Sequence, residues 1–132
     1  MNTHRILDQQ GIPVHYGWVD SWWYGERLHA GVALWEDITT NPPEFGDMQQ
    51  RFPTGLTGMN KKTGRKVVAH IGEWNAKSPY ATNASNGFVD SGSHTLPTSE
   101  TFWQELMGKA KDWGLLVMKQ DHINGAQQLL AI

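Results

Sequence analysis

The residues best suited to chemistry form the tripeptide Lys119-Gln120-Asp121. Residues two apart on a β-strand project to the same side, so a strand through this segment would present the Lys119 ammonium beside the Asp121 carboxylate. A nearby ammonium favours the ionised form of a carboxylate. An ionised carboxylate is the nucleophile that retaining glycosidases use to attack a sugar carbon. The alternative is a structural ion pair, because so short a motif often occurs by chance.

Acidic residues also follow the other segments that are rich in strand-forming residues. They are Asp20, Glu36 with Asp37, and Glu73. The carboxyl ends of parallel strands meet at one edge of a sheet, where barrel enzymes bind and convert their substrates. Each acid taken alone is equally well explained as the start of a solvated loop. A shared site is favoured by the aromatic residues that flank them, namely Trp18, Trp22, Trp23, Tyr24, Trp35 and Trp74.

Three segments of the chain repeat one plan: a helix, a glycine, a strand and an acidic residue. Sequence patterns place helices over 5–10, 56–63 and 101–113, glycines at 11, 64 and 114, and strands over 12–20, 65–73 and 115–121. Glycine readily takes the left-handed conformation that ends a helix. Short apolar runs are typical of buried parallel strands. The third helix is the clearest, since its apolar residues recur at spacings of three and four.

A fourth strand is predicted over 31–35, before a loop that contains Asn41, Pro42 and Pro43. Strands that alternate with helices predict an α/β fold with a parallel sheet. A complete (β/α)8 (TIM) barrel needs about 250 residues. We therefore predict that the 132 residues form a single domain over 1–132, a partial (β/α)8 barrel of about four parallel strands with crossover helices. The segment 76–97, rich in Asn, Ser and Gly, is expected to be a long loop after the third strand.

The composition argues against several classes of partner. A net charge of -2 without a basic cluster offers little to nucleic acid or to an anionic membrane surface. The absence of cysteine excludes disulfides and thiolate metal sites. No apolar run approaches the ~18 residues of a membrane-spanning helix, and the first residues lack the apolar segment of a signal peptide. We expect no cofactor, and a cytoplasmic location if Met1 is the genuine start.

Several segments, taken in order, resemble one group of enzymes. Residues 51–56, Arg-Phe-Pro-Thr-Gly-Leu, lead through a short helix and Gly64 to residues 66–74, Lys-Val-Val-Ala-His-Ile-Gly-Glu-Trp. The third helix and Gly114 then lead to Lys119-x-Asp121. This order resembles glycoside hydrolase clan D, the α-galactosidase and raffinose-synthase group that includes family 36. In that group the Lys-x-Asp motif ends the fourth barrel strand.

The resemblance implies a retaining glycoside hydrolase with a carbohydrate substrate carrying α-linked sugars. Asp121 would be the catalytic nucleophile, and the substrate-binding residues would be Asp20, Trp22, Trp23, Trp35, Glu73 and Lys119. Within that set, Lys119 and Asp20 would bind sugar hydroxyls and the tryptophans would wall the sugar subsite. The sequence departs from the group in having a single acid, Asp20, after the first strand and no proline in Gly72-Glu73-Trp74. These departures leave the sugar unidentified.

Retaining hydrolysis needs a second carboxyl group, about 5–5.5 Å from the nucleophile, as acid and base. In clan D this group comes from a later strand. The sequence reaches Ile132 eleven residues after Asp121, and its last apolar residues, Leu129, Leu130 and Ile132, look like the start of a further helix. We expect the isolated chain to be a fragment that is inactive or nearly so.

Two other functions use the same residues. A metal-dependent barrel hydrolase could take His70, Glu73, Asp121 and His122 as nitrogen and oxygen ligands. Against this, His70 and Glu73 are three apart and would face opposite sides of a regular strand. A non-catalytic sugar-binding half-barrel is the other possibility. Its open sheet edges and one exposed apolar face predict self-association.

Overall fold

The computed structural model describes residues 3–24, 31, 32, 34–37, 53–90 and 95–121, except for the side chains of 3, 4 and 22. Its elements, in chain order, are helix α1 (Thr3–Gln9), strand β1 (Tyr16–Val19), a 3₁₀ turn (Ser21–Trp23), helix α2 (Gly55–Thr63), strand β2 (Lys66–Ile71), a second 3₁₀ turn (Ala84–Asn86), strands β3 (Phe88–Asp90) and β4 (Thr95–Pro97), helix α3 (Glu100–Asp112) and strand β5 (Leu115–Gln120). The three predicted helices are confirmed. The loop predicted around residues 41–43 and the helix start at 129–132 lie outside the described residues.

The main sheet has three strands in the order β1-β2-β5, and both pairs are parallel. Trp18 is the register partner of Val68, which in turn is the partner of Val117. Strands β3 and β4 form a separate antiparallel pair. The described chain is therefore a mixed α/β fold with a parallel sheet, as the alternation of strands and helices predicts.

The strand expected over 31–35 is reduced, in the described residues, to one parallel bridge between Val32 and Trp74. The Val32 N–H donates to the Glu73 carbonyl (2.6 Å), and the Asn75 N–H donates to the Val32 carbonyl (3.0 Å). Gly31 has φ 116°, and a Cβ there would lie 2.8 Å from the Glu73 oxygen. The segment thus meets the chain just beyond the end of β2, and β1 pairs with β2 directly.

Helix ends follow the sequence signals in most places. The Ser99 hydroxyl accepts from the Phe102 N–H at the start of α3, and Gly64 and Gly114, with φ 67° and 93°, follow α2 and α3. A Cβ at Gly114 would lie 1.8 Å from the Asn60 amide nitrogen, so the Asn60 side chain would have to move to make room for it. None of the described helices has the length and apolar character that crossing a membrane requires.

The core lies on one face of the parallel sheet. Its members from the strands and helices include Val19, Val67, Ala69, Ile71, Leu56, Phe102, Leu106, Ala110 and Trp113. The opposite face, which we call the open face, carries Tyr16, Trp18, Val68, His70, Val117 and Lys119, since register partners on neighbouring strands share a side. Tyr16, Trp18 and Val117 are 53%, 57% and 49% exposed, so large apolar side chains of this face meet solvent.

The segment 76–97 is more structured than its composition predicts. Its described residues contain the second 3₁₀ turn and strands β3 and β4. Tyr80 and Phe88 pack against Trp74, with ring centroids 5.4 and 5.6 Å away, and Phe88 also meets Phe102 at 5.2 Å. Tyr80 and Phe88 hold the segment against the core, and two isolated aromatic residues do not create a periodic pattern from which a helix or strand could be predicted.

Candidate functional site

The predicted pair of Lys119 and Asp121 lies at the carboxyl end of the parallel sheet. The Lys119 ammonium donates to Asp121 Oδ2 over 2.7 Å. The Asp121 backbone N–H donates to the Ile71 carbonyl (2.8 Å), which ties this residue to the end of β2. The side chains of Lys119 and Asp121 are 40% and 47% exposed, so the pair is open to a solute. An ionised carboxylate that is both anchored and accessible is suited to nucleophilic attack.

An irregularity in β5 turns this pair toward the open face. Val67 is the partner of Leu115, but the next residue, Val68, is the partner of Val117, so Leu116 is an extra residue in β5. Leu115 and Met118 both pack against the core. On a regular strand, residues three apart would face opposite sides of the sheet. An inserted residue moves every later side chain to the other face. The bulge therefore brings Lys119 and Asp121 to the same face as His70.

His70 joins the site, although the sequence indicates only a possible metal ligand at this position. The residue is 4% exposed, and its Nδ1 lies 2.9 Å from the Tyr24 hydroxyl. Its Nε2 lies 3.4 Å from Asp121 Oδ2, the oxygen that Lys119 also contacts. The signal that could have revealed it is the register, which pairs His70 with Lys119. A single sequence gives no register between strands.

Trp18 presents its ring next to the charged pair. The Lys119 ammonium lies 5.3 Å from the centroid of this ring, within the range of a cation–π contact. The ring belongs to an exposed residue of the open face. Trp18 therefore combines an accessible flat apolar surface with a position beside the carboxylate.

The other predicted tryptophans differ from Trp18. Trp23 and Trp35 are 3% and 1% exposed, and both pack against Trp113, with ring centroids 5.7 and 5.4 Å away. The Trp35 indole N–H also donates to the His70 carbonyl (2.9 Å). These contacts favour a packing role for both residues over the wall of a sugar subsite. The side chain of Trp22 lies outside the described residues.

The predicted acids Asp20 and Glu73 follow the ends of β1 and β2, at the same edge as Asp121. The Asp20 carboxylate accepts from the Ser21 N–H (2.7 Å) and so caps the first 3₁₀ turn. Glu73 is half-buried, and its backbone carbonyl holds the Val32 bridge. Asp20 therefore has a local structural role that does not depend on any substrate.

Asp37 also has a structural role, at the start of α2. Its Oδ1 accepts from the Leu56 N–H (2.6 Å) and its Oδ2 from the Thr57 hydroxyl (2.5 Å). Thr54, which directly precedes α2, makes no side-chain cap bond. A carboxylate at a helix N-terminus satisfies free N–H groups and complements the helix dipole. Asp37 fixes α2, which leads into β2.

Glu36 lies apart from the charged pair, in a cleft of about 210 Å³ between α3 and the segment after β2. Burial raises the pKa of the Glu36 carboxyl above its usual value, and the Lys109 ammonium partly lowers it. Burial, and then the Glu36 charge, raise the pKa of the Tyr80 hydroxyl, whereas the hydrogen bond from the Trp35 N–H (3.3 Å) lowers it. Glu36 thus belongs to a different region from Lys119 and Asp121.

The metal hypothesis receives no support from the described part of the chain. No group of three His, Cys, Asp or Glu side chains in it is placed to hold a metal ion. Of the four ligands considered, His70 and Asp121 do lie together, but His122 falls outside the described residues.

The chain was compared with protein-family models, with curated proteins and with solved structures, and none of them matched.

Proposed function

We propose that this chain supplies the nucleophile and part of the sugar-binding surface of a retaining glycoside hydrolase that acts on α-linked sugars. The observation that carries the proposal is the contact between Lys119 and Asp121 at the carboxyl edge of a parallel sheet, on its open face. This edge is where enzymes with parallel α/β sheets place their reacting groups. The resemblance of residues 51–74 and 114–121 to clan D supports the same assignment and favours α-galactosides.

The proposed architecture is half of a (β/α)8 barrel. The three parallel strands, β1, β2 and β5, lie side by side in the order in which they occur along the chain, and the core lies on one face of their sheet. The other face exposes Tyr16, Trp18 and Val117. In a closed barrel the corresponding face is turned inward, and its strand ends line the mouth. An apolar face that remains open is the arrangement expected of an incomplete barrel.

In the proposed reaction, an oxygen of the Asp121 carboxylate forms a bond to the anomeric carbon. The bond from that carbon to the leaving group breaks, and the leaving group departs with the electron pair. Water then cleaves the glycosyl ester and restores the carboxylate. Lys119 keeps Asp121 ionised, and the ring of Trp18 offers a flat apolar surface to the sugar. For ordinary glycosides, a second carboxyl group has to protonate the leaving oxygen.

A second candidate function is sugar binding without catalysis. It is favoured by the exposed ring of Trp18 beside the ion pair, which would bind a sugar whether or not Asp121 reacts. The two candidates differ in one respect only: the catalytic one requires a covalent bond from the sugar to Asp121.

The experiment uses a sugar whose leaving group needs no protonation. The chain is incubated with 5-fluoro-α-galactosyl fluoride, and intact-mass spectrometry and peptide mapping locate any glycosyl ester. The proposal predicts one added sugar, on Asp121, and none in Asp121→Asn. The matched control is Asp112→Asn, at the end of α3, which should be labelled like the wild type. Binding of galactose without a label would favour the second candidate, and a label on another carboxylate would refute the assignment of Asp121.

A further inference from the structure

His70 is a buried imidazole placed between a hydroxyl and the candidate nucleophile. Its Nδ1 is 2.9 Å from the Tyr24 hydroxyl, and its Nε2 is 3.4 Å from Asp121 Oδ2. The Tyr24 and His70 rings lie nearly parallel, with an interplanar angle of 15° and centroids 5.7 Å apart. The Trp35 indole holds the His70 backbone. The ring is thus held from several sides and touches Asp121 at one nitrogen only.

The chemistry of the neighbours determines which ring nitrogen carries the proton. An ionised carboxylate only accepts hydrogen bonds, so the nitrogen that faces it has to be the donor. In a neutral imidazole the other nitrogen is then an acceptor. Nδ1 therefore receives the hydrogen of the Tyr24 hydroxyl. In the neutral ring, the Tyr24 contact and the Asp121 contact require the same tautomer, with the proton on Nε2.

We propose that Tyr24 and His70 form a positioning relay that fixes the carboxylate of Asp121 for attack on the sugar. The inference rests on the proposed function, because it assigns these two residues to the same nucleophile. In this relay the Tyr24 hydroxyl sets the tautomer of His70, and the Nε2–H of His70 faces Asp121 Oδ2 across a polar contact of 3.4 Å, next to the hydrogen bond from Lys119. His70 transfers no proton and touches no reacting atom, so it is a positioning residue.

The polar contact from His70 adds to the hydrogen bond that Lys119 makes with the same oxygen of Asp121. A lysine side chain is flexible, so its contact restricts the terminal torsion of the carboxylate less firmly than a contact from a buried ring does. A second donor from a buried ring restricts that torsion and so orients the plane of the carboxylate. Groups held in the reactive geometry react faster because less has to be ordered during the reaction.

The first test reads the tautomer of His70 directly and needs no activity. Long-range proton–nitrogen correlation spectra are recorded on the chain with ¹⁵N-labelled histidine, and the signals of His70 are assigned by their loss in His70→Gln. The relay predicts the neutral tautomer with hydrogen on Nε2 at neutral pH. In Tyr24→Phe, which removes only the hydroxyl, the fraction with hydrogen on Nδ1 should rise. A predominant Nδ1–H form, or a doubly protonated ring, in the wild type would overturn the relay.

The second test measures how fast 5-fluoro-α-galactosyl fluoride labels Asp121. Loss of about 1.4 kcal/mol of transition-state stabilisation from the His70 contact corresponds to about a tenfold loss of rate. We expect His70→Leu to lower the maximal labelling rate about tenfold, with the half-saturating concentration little changed. His70→Gln, whose amide nitrogen can replace Nε2, should recover most of the rate. Tyr24→Phe should lie between the wild type and His70→Leu.

The two tests separate the relay from the proposed function. If the wild type carries no label on Asp121, the proposed function fails, and the tautomer alone decides whether Tyr24 and His70 are linked to Asp121. If Asp121 is labelled but folded His70→Leu reacts at the wild-type rate, the relay fails and the nucleophile stands. If His70→Gln is as slow as His70→Leu and the half-saturating concentration rises in both, His70 only packs.

Discussion

Gly58 lies inside helix α2, at a position where helix propensity alone favours alanine. Alanine is more favourable than glycine in a helix interior by about 1 kcal/mol. A Cβ at Gly58, however, would lie 2.0 Å from Thr54 Oγ1 and 2.2 Å from Thr54 Cβ. Rotation about χ1 of Thr54 moves its hydroxyl but not its Cβ, so the backbone of the first turn has to shift. Gly108 in α3 is the matched control, because an added Cβ there meets nothing within 4 Å.

We expect Gly108→Ala to raise the free energy of unfolding by about 1 kcal/mol. Overpacking costs roughly 1–3 kcal/mol, and an overlap as close as that at Gly58 belongs near the upper end, so Gly58→Ala should lower stability by about 2 kcal/mol net. Urea denaturation followed by tryptophan fluorescence measures both. In a Thr54→Gly background the clash is gone, and Gly58→Ala should then stabilise. Equal stabilisation by Gly58→Ala and Gly108→Ala in the wild-type background would refute the contact with Thr54.

Three further changes test other parts of the structure. Asp37→Ala should lower the free energy of unfolding by about 1–2 kcal/mol and Asp37→Asn by less, and an unchanged urea midpoint would contradict its capping role. Folding raises the pKa of Glu36. Its contribution to the free energy of unfolding is therefore greatest below the pKa of the unfolded chain and is lost as pH rises through the pKa of the folded protein. In the wild type, stability should therefore fall as pH rises above the usual glutamate pKa, and Glu36→Gln should remove this fall. Lys109→Gln should enlarge the fall, because the Lys109 ammonium favours the ionised carboxylate. If neither variant changes the dependence of stability on pH, Glu36 does not titrate in this way. Finally, the exposed open face should cause self-association. Sedimentation velocity should show weaker association for Val117→Lys and unchanged association for Val89→Lys, since Val89 is an exposed valine of β3 outside the open face. Equal association of both variants would place the contact elsewhere.

The parts of the fold that could be predicted are those fixed by local signals. Gly64 and Gly114 mark the ends of two helices because the left-handed conformation is a property of one residue. The apolar stripe of α3 and the short runs that form β2 and β5 are likewise visible in the sequence. The sequence predicts that Lys119 and Asp121 lie together because they are only two residues apart.

The parts that could not be predicted depend on contacts between distant segments. The extra residue Leu116 changes the register of β5, and nothing local distinguishes it from its neighbours. Asp37 caps a helix that begins at Gly55, so seventeen intervening residues hide its role in the sequence. Trp35 is buried against Trp113, which is also far from it in the sequence, so local patterns do not reveal this burial. Sequence patterns place the acids that follow the predicted strands at one site, whereas tertiary contacts give them different environments.

The central claim is that Asp121 is a nucleophile, and chemical rescue tests it most directly. In Asp121→Gly, azide can enter the space left by the carboxylate and attack the anomeric carbon of α-galactosyl fluoride, forming a carbon–nitrogen bond as fluoride leaves with the electron pair. If Asp121 is the nucleophile, proton NMR should detect β-galactosyl azide, because azide reaches the same face of the sugar that the carboxylate attacks. Samples with Asp112→Gly, or without protein, should give none. Absence of the β-azide from folded Asp121→Gly, or its equal formation with Asp112→Gly, would contradict the assignment.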